Sequence, residues 1–405
     1  MKNPYTWLKG GITAVPGFRA AGVRAGIKKG GRLDLALIFS EKPCTAAGVF
    51  TTNRYAAAPV LVTRDQLKTG RSQAIVVNSG GANACTGEEG YRDAMEMLEL
   101  ASRSLGIASD LTCVGSTGVI GRRLPMDKIR KAIPLAARRV RSSGGLEAAK
   151  AIMTTDTVPK LSAVKGRVGN RNVTVGGIAK GAGMVHPSMA TLLGFLGTDA
   201  QIEPAALQAA LRRAVDRSFN RITIDGDTST NDMVLCLANG MSGIPVLTAA
   251  SPYLEDFQYL VEQVCVALAK MVAKDGEGAE TLVEVIVRGA LTESQAESAA
   301  KTIAGSLLVK TAIYGEDANW GRILAALGRS GVGFDPRRVD VAIGPVRVVA
   351  AGVGVGPEAE RRAAKVLARP EVQLTIDLHA GFSQAAVWTC DLGPDYVKIN
   401  AAYRS

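Results

Sequence analysis

The sequence predicts a mixed α/β fold of two intimately joined, layered halves, and three observations carry that expectation. Short apolar stretches at 35–39, 60–62 and 74–77, bounded by Gly, Asn and Thr, have the length and flanks of buried strands. Segments of helical character alternate with them, at 90–105, 125–140, from 203 and from 251. Late in the chain Val372, Leu374, Ile376 and Leu378 alternate with Gln373, Thr375, Asp377 and His379, the period of a half-buried strand.

Each element has a local reason. Pro125 stands at a first-turn position, where its missing N–H costs nothing. Leu207, Leu211 and Val215 share one helical face, with Arg212, Arg213 and Asp216 turned away. Ser251 and Pro252 read as N-cap and N1 of a longer helix. Its apolar positions are Phe257, Leu260, Val261, Val264, Leu268 and Met271, and Asp275-Gly276 ends it. The late strand puts His379 on its polar face, in a solvated role. A chain of 405 residues is long enough for two or three domains, but no repeat, linker or charge run marks a boundary.

Composition removes several function classes. Six cysteines without a C-x-x-C leave no zinc knuckle or thioredoxin motif, and they read as buried free thiols. His186 and His379 are the only histidines, so a multi-histidine site is excluded and no metal is expected. The net charge of +11 raises the question of nucleic acid, but aromatics are 5 % and the basic residues are dispersed, so stacking platforms are lacking. No apolar run approaches the roughly 18 residues of a membrane helix, and Met1 to Trp7 leads into Gly-rich sequence rather than a signal-peptide core. A cytoplasmic protein that binds neither membrane nor nucleic acid is expected.

Common catalytic motifs are also missing. The run Gly352 to Pro357 lacks the last glycine of a dinucleotide fingerprint, and neither a P-loop nor a G-x-S-x-G elbow occurs. The most unusual stretch is Lys180-Gly181-Ala182-Gly183-Met184-Val185-His186-Pro187-Ser188-Met189-Ala190-Thr191. Its glycines permit strained backbone, and a small residue precedes a hydroxyl residue where a chain could be cut.

The segment KGAGMVHPSMATLLGFLGTDA (180–200) resembles the autoprocessing segment of the ornithine acetyltransferase family, the bifunctional glutamate N-acetyltransferases of arginine biosynthesis. Further blocks of the same resemblance include TTNRYAAAPV (51–60), VNSGGANACTG (77–87), GSTGVIGRRLPM (115–126), IMTTDTVPK (152–160), SFNRITIDGDTSTND (218–232), KDGEGAE (274–280), VKTAIYGEDANWGRI (309–323) and NAAYRS (400–405). They follow the family's order and span nearly the whole chain.

The resemblance implies an N-terminal-nucleophile fold shared with related aminopeptidases. It also implies self-cleavage between Ala190 and Thr191, giving an alpha chain (1–190) and a beta chain (191–405) that stay associated, with a dimer of such pairs. Thr191 would then be both nucleophile and new N-terminus. With so little histidine the freed α-amine, whose reference pKa is about 7.7 to 8.0, supplies the base. Thr117 and Gly118 would form the oxyanion hole through the Thr117 hydroxyl and the Gly118 N–H. Thr157 (chosen from Thr154, Thr155 and Thr157), Lys180, Thr191, Glu277, Asn400 and Ser405 would bind substrate, Lys180 facing a carboxylate and Glu277 an amine.

The implied reaction moves acetyl from N2-acetylornithine to glutamate without a cofactor, and leaves acetyl-CoA open as a second donor. Two rival readings remain at this level: a hydrolase of related fold that gives the acyl group to water, and a non-catalytic basic binding protein. Two departures stand out. Gly81 occupies a position where Asn is usual, and Glu280-Thr281 replaces Thr-Lys near Glu277, adding a carboxylate close to it. His186 reads as structural, and Asn319-Trp320-Gly321 as core and domain contact.

Overall fold

The structure, a computed structural model, describes residues 5–186 and 192–402. Its first half is a nine-stranded sheet of β1 (Tyr5–Trp7), β2 (Phe18–Val23), β3 (Leu35–Phe50), β4 (Arg71–Gly81), β5 (Thr112–Val119), β6 (Lys160–Val168), β7 (Arg171–Lys180), β8 (Leu193–Thr198) and β9 (Met233–Ala238). The order is β1-β6-β7-β8-β9-β3-β4-β5, with β2 also on β3. Pairs β4/β5 and β8/β9 are parallel. The second half is a six-stranded sheet of β10 (Leu282–Ala290), β11 (Asp340–Ile343), β12 (Val346–Ala350), β13 (Val353–Gly354), β14 (Glu371–Asp377) and β15 (Ser383–Cys390), ordered β13-β12-β11-β14-β10-β15.

Helices α1 (Ala58–Gln66), α2 (Gly87–Leu105), α3 (Met126–Arg139), α4 (Gly145–Ile152), α5 (Pro204–Asp216) and α6 (Leu254–Lys274) belong to the first half. Those of the second are α7 (Glu293–Ala304), α8 (Leu307–Tyr314), α9 (Trp320–Gly328), α10 (Pro357–Leu367) and α11 (Pro394–Ala402). Helices α5 and α6 bury the expected stripe, Leu207, Leu211, Leu260, Val264 and Leu268, in one core with Val175, Leu196 and Cys236 of the sheet. Ile152 of α4 joins Ile12, Phe18, Phe195 and Leu237 in another. The halves are joined where Leu282, Trp388 and Cys390 of the second sheet enter the core of α5 and α6.

The point between 190 and 191 is not a boundary between folding units. On either side of it β7 and β8 pair antiparallel, from Val175↔Thr198 to Lys180↔Leu193, inside one sheet. The strands on its two sides thus share one sheet and one core, Val175 and Ala179 of β7 packing with Leu196 of β8.

Three local expectations are corrected. The 60–62 run is helical, in α1, because Pro59 in the first turn and Ala57 and Ala58 around it favour a helix start over so short a strand. The helix expected from Ser251 begins at Leu254, after a turn in which Leu254 N–H donates to Ser251 O, and its Met271 is partly exposed. Cys85 is exposed, while the other five cysteines are buried free thiols. Trp320 packs within the second half, donating Nε1–H to Glu360, and Asn319 caps α9. The late strand is β14, with Val372, Leu374 and Ile376 buried and His379 exposed beside Asp340.

Candidate active site

Strand ends and turns meet at one cleft of about 180 Å³, lined by Thr117, Gly118, Thr154, Thr155, Lys180, Glu277, Asn400 and neighbouring residues. Five segments distant in sequence build it: the end of β5, the loop after α4, the end of β7 with the turn that follows it, the 225–231 loop before β9, and the turn after α6 closed over by α11.

The β5 end is shaped by backbone constraint. Gly118 has φ of 129°, and a Cβ there would lie 2.5 Å from the Gly80 carbonyl carbon on paired β4, so only glycine fits. Behind it Asn231 donates from Nδ2 to Ser116 O at 2.8 Å and to Ala82 O at 2.6 Å, and Ser116 Oγ donates to Asn78 Oδ1. These bonds hold the turn that presents the Thr117 hydroxyl and the Gly118 N–H. Lys180 Nζ donates to Thr117 Oγ1 at 3.4 Å, which brings a cation beside the place where an oxyanion would form. Burial pushes the Lys180 ammonium below the usual lysine range, against the opposing pull of Asp156.

Glu277 sits in a turn made by its neighbours. Its N–H donates to Ala182 O at 2.8 Å, and a Cβ on Gly183 would lie 2.5 Å from its carboxylate. Its Oε2 accepts from Asn400 Nδ2 at 2.7 Å, and nearby Asp225 Oδ2 accepts from Tyr396 OH at 3.3 Å. Asp225 also receives Met184 N–H and Val185 N–H, and burial holds its carboxyl above the ordinary range. The cleft therefore has a cationic wall at Lys180 and an acidic wall at Glu277, Asp225 and Asp227, suited to a zwitterionic amino acid.

Thr157 is placed differently from the expectation. Its N–H and hydroxyl both go to Asp275, whereas Thr154 and Thr155 line the cleft, because Asp156 turns the loop by accepting Thr154 N–H. Ala190, Thr191 and Ser405 lie outside the described residues. The nearest described group on the far side is Leu192, whose N–H donates to Asp232 Oδ1 at 3.0 Å. Asp232 is 1 % exposed, burial pushes its carboxyl well above the ordinary range, and Oδ2 has no hydrogen-bond partner among the described residues. Sequence reasoning assigned no role to Asn231 or Asp232; their place in the STND run, inside a recognised block, was the available signal.

The other marked positions fall outside the cleft. Glu280 is exposed, and its N–H and that of Thr281 are held by Asp391, so the added carboxylate does not line the site. Gly81 lies at the β4 end, where a Cβ would meet Leu124 at 2.9 Å. His186 bonds Thr223 Oγ1 through Nδ1, and burial, then Lys301, lowers its pKa. It borders a larger cleft of about 1150 Å³ between α5 and α7. Of the six cations that line it, Arg217 is paired with Glu262, Arg221 with Glu293 and Glu297, and Lys301 with Glu297. Among the described residues no His, Cys, Asp and Glu cluster could hold a metal ion, and no helix is long and apolar enough to cross a membrane.

The family model for ArgJ matches residues 19–405. The chain belongs to the ArgJ family. It is 55 % identical over 401 residues to the arginine biosynthesis bifunctional protein ArgJ of Symbiobacterium thermophilum, covering 98 % of this chain and 100 % of that one. With the ArgJ of Geobacter sulfurreducens the figures are 50 % over 391 residues, 96 % and 100 %. Among solved structures, ArgJ from Bacillus halodurans is 45 % identical, with 51 % of this chain and 96 % of that one covered and a TM-score of 0.49. The ornithine acetyltransferase of Mycobacterium tuberculosis complexed with ornithine is 48 % identical, with 46 % and 99 % covered and a TM-score of 0.43. In this ArgJ-family chain the cleft brings together Thr117, Gly118, Lys180, Glu277 and Asn400, five of the positions singled out from sequence.

Proposed function

We propose that the chain is an acetyltransferase of arginine biosynthesis that moves acetyl from N2-acetylornithine to glutamate through an ester on Thr191. The observation that carries this reading is the meeting of Thr117, Gly118, Lys180 and Glu277 in one cleft that Asn231 also lines, next to Asp232, whose carboxylate accepts the N–H of Leu192, the residue that follows the nucleophile. The ArgJ relatives, named as bifunctional proteins of arginine biosynthesis, point the same way.

The chain first cuts itself. The Thr191 hydroxyl attacks the Ala190 carbonyl, the C–N bond breaks as the ester forms so that the nitrogen takes a proton and becomes the free α-amine of Thr191, and water then opens the ester to leave the Ala190 carboxylate and the Thr191 hydroxyl. That amine then takes the hydroxyl proton as Thr191 attacks the acetyl carbon of the donor. Negative charge on the acetyl oxygen is met by the Thr117 hydroxyl and the Gly118 N–H, with Lys180 beside them. The proton passes to the leaving α-nitrogen of ornithine, and glutamate's amine collects the acetyl group by the reverse path. Lys180 holds the substrate carboxylate and the Glu277 wall an ammonium. The alpha and beta chains work as a dimer of pairs, and the site of action is the cytoplasm.

Intact mass and product analysis of one preparation test the reading. Two fragments, the second beginning at Thr191, and N-acetylglutamate formed from N2-acetylornithine are expected. An uncut but active chain overturns the threonine mechanism, and acetate formed at the same rate with and without glutamate makes the protein a hydrolase.

A further inference from the structure

Lys160 is 0 % exposed, opens β6, and takes no part in the mechanism above. Its Nζ donates to Asp156 Oδ1 at 2.7 Å and to Asp275 Oδ2 at 2.6 Å. Each carboxylate in turn holds a wall of the cleft. Asp156 accepts Thr154 N–H at 2.9 Å and Gly181 N–H at 2.8 Å, the first next to Thr155 and the second next to Lys180. Asp275 accepts Thr157 N–H at 3.0 Å and lies two residues before Glu277. One ammonium thus ties together the loop after α4, the end of β7 and the turn after α6.

We propose that Lys160 is a positioning residue of this active site, a buried clamp that sets the spacing between the carboxylate-binding and amine-binding walls. The physical argument is one of cost. A fully buried ammonium between two buried carboxylates carries a desolvation penalty that well-packed apolar residues would avoid, so such a triad is weak evidence of stability for its own sake. What it supplies here is geometry: the three segments also touch pairwise, through Gly181 N–H to Asp156, Thr157 to Asp275 and Glu277 N–H to Ala182 O, and among the described bonds Lys160 is the group that holds together both carboxylates on which the first two of these contacts rest. It also supplies charge. Lys160 is a like charge near Lys180 and pulls its pKa down, while Asp156, Asp232 and Glu277 pull it up; Lys28 adds a second cation nearby. Burial pushes the Asp156 carboxyl up, but the Lys180 and Lys160 ammoniums bring it down to about 2, so it stays ionised throughout the working range.

The inference rests on the reading that Lys180 binds the substrate carboxylate, and the test separates the two. Lys160→Met, Lys160→Arg and the double variant Lys160→Met/Asp275→Asn, which keeps the cluster's net charge and guards against a folding failure, are compared with the parent. kcat/KM is measured against pH, and Lys180 is titrated by NMR through ¹³C-labelled lysine. Loss of Lys160 should lower kcat/KM by about tenfold or more, chiefly through KM. It should also move the alkaline limb, and the Lys180 titration, to higher pH, because a repelling cation is gone. Lys160→Arg should keep the parental limb while KM rises. A soluble Met variant, single or double, with parental KM and an unmoved Lys180 titration overturns the proposal. If the parent itself transfers no acetyl, the functional reading fails, yet the NMR titration still decides whether Lys160 sets the charge of Lys180.

Discussion

Asn400 Nδ2 donates to Glu277 Oε2 at 2.7 Å across 123 positions of chain, and this bond closes the cleft at its acidic wall. One helical turn earlier Tyr396 reaches Asp225. None of the described residues of α11 is buried, so the polar contacts of these two side chains, rather than an apolar face, tie the helix to the cleft. Deleting residues 400–405 is expected to leave self-cleavage intact and to reduce acetyl transfer. Loss of one hydrogen bond to a charged group costs about 1.5 to 3 kcal/mol, roughly tenfold to a hundredfold in kcat/KM. Processing followed on a gel and transfer measured on the same preparation check this; unchanged transfer would remove the chain end from the site.

If Thr117 is one of the two oxyanion donors proposed above, replacing it by Ala should cost about 10² to 10³ in kcat. KM should change little, since the donor acts on charge that develops during reaction. Steady-state kinetics on processed protein measure it. Gly118→Ala is a different lesion: its methyl would fall 2.5 Å from the Gly80 backbone, so a loss of soluble protein or of melting temperature is expected.

Thr191→Ala should remain a single full-length chain without transfer activity, because the acyl shift needs a hydroxyl. Thr191→Ser should cut slowly. Denaturing gels over time distinguish these outcomes, and efficient cleavage of the Ala variant would require another nucleophile.

Asp232 predicts a pH signature of stability. Burial raises its carboxyl pKa in the folded chain well above the ordinary value near 4 of an unfolded one. A raised carboxyl contributes its stability in full below the unfolded value and loses it as pH climbs through the folded value. The melting temperature should therefore fall with rising pH across that interval, and fall less in Asp232→Asn. Calorimetry over the interval is the check, and parallel curves for the two proteins would contradict it.

How much of this was legible beforehand depends on the range of the interaction concerned. The alternation from Val372 to Leu378 and the stripe of Leu207, Leu211 and Val215 are relations among neighbours along the chain, and β14 and α5 appear where that periodicity puts them. The 60–62 run, expected to be a strand, is helical: three apolar residues satisfy either period, and Pro59 in the first turn favours the helix. Motif identity likewise marked Thr117, Gly118, Lys180, Glu277 and Asn400 one by one.

That those five share a cleft was decided by tertiary structure alone. So was the exchange of Thr157 for Thr154 and Thr155, since Asp275, which takes the Thr157 hydroxyl, stands 118 positions away. The bonds from Asn231 to Ser116 and Ala82, and from Lys160 to Asp156 and Asp275, belong to the same class. Composition and spacing record which groups a chain carries and which way each side chain faces on its own helix or strand. Which buried polar group finds which partner depends on strand order and register, set by packing over the whole sheet, and only the folded chain contains that information.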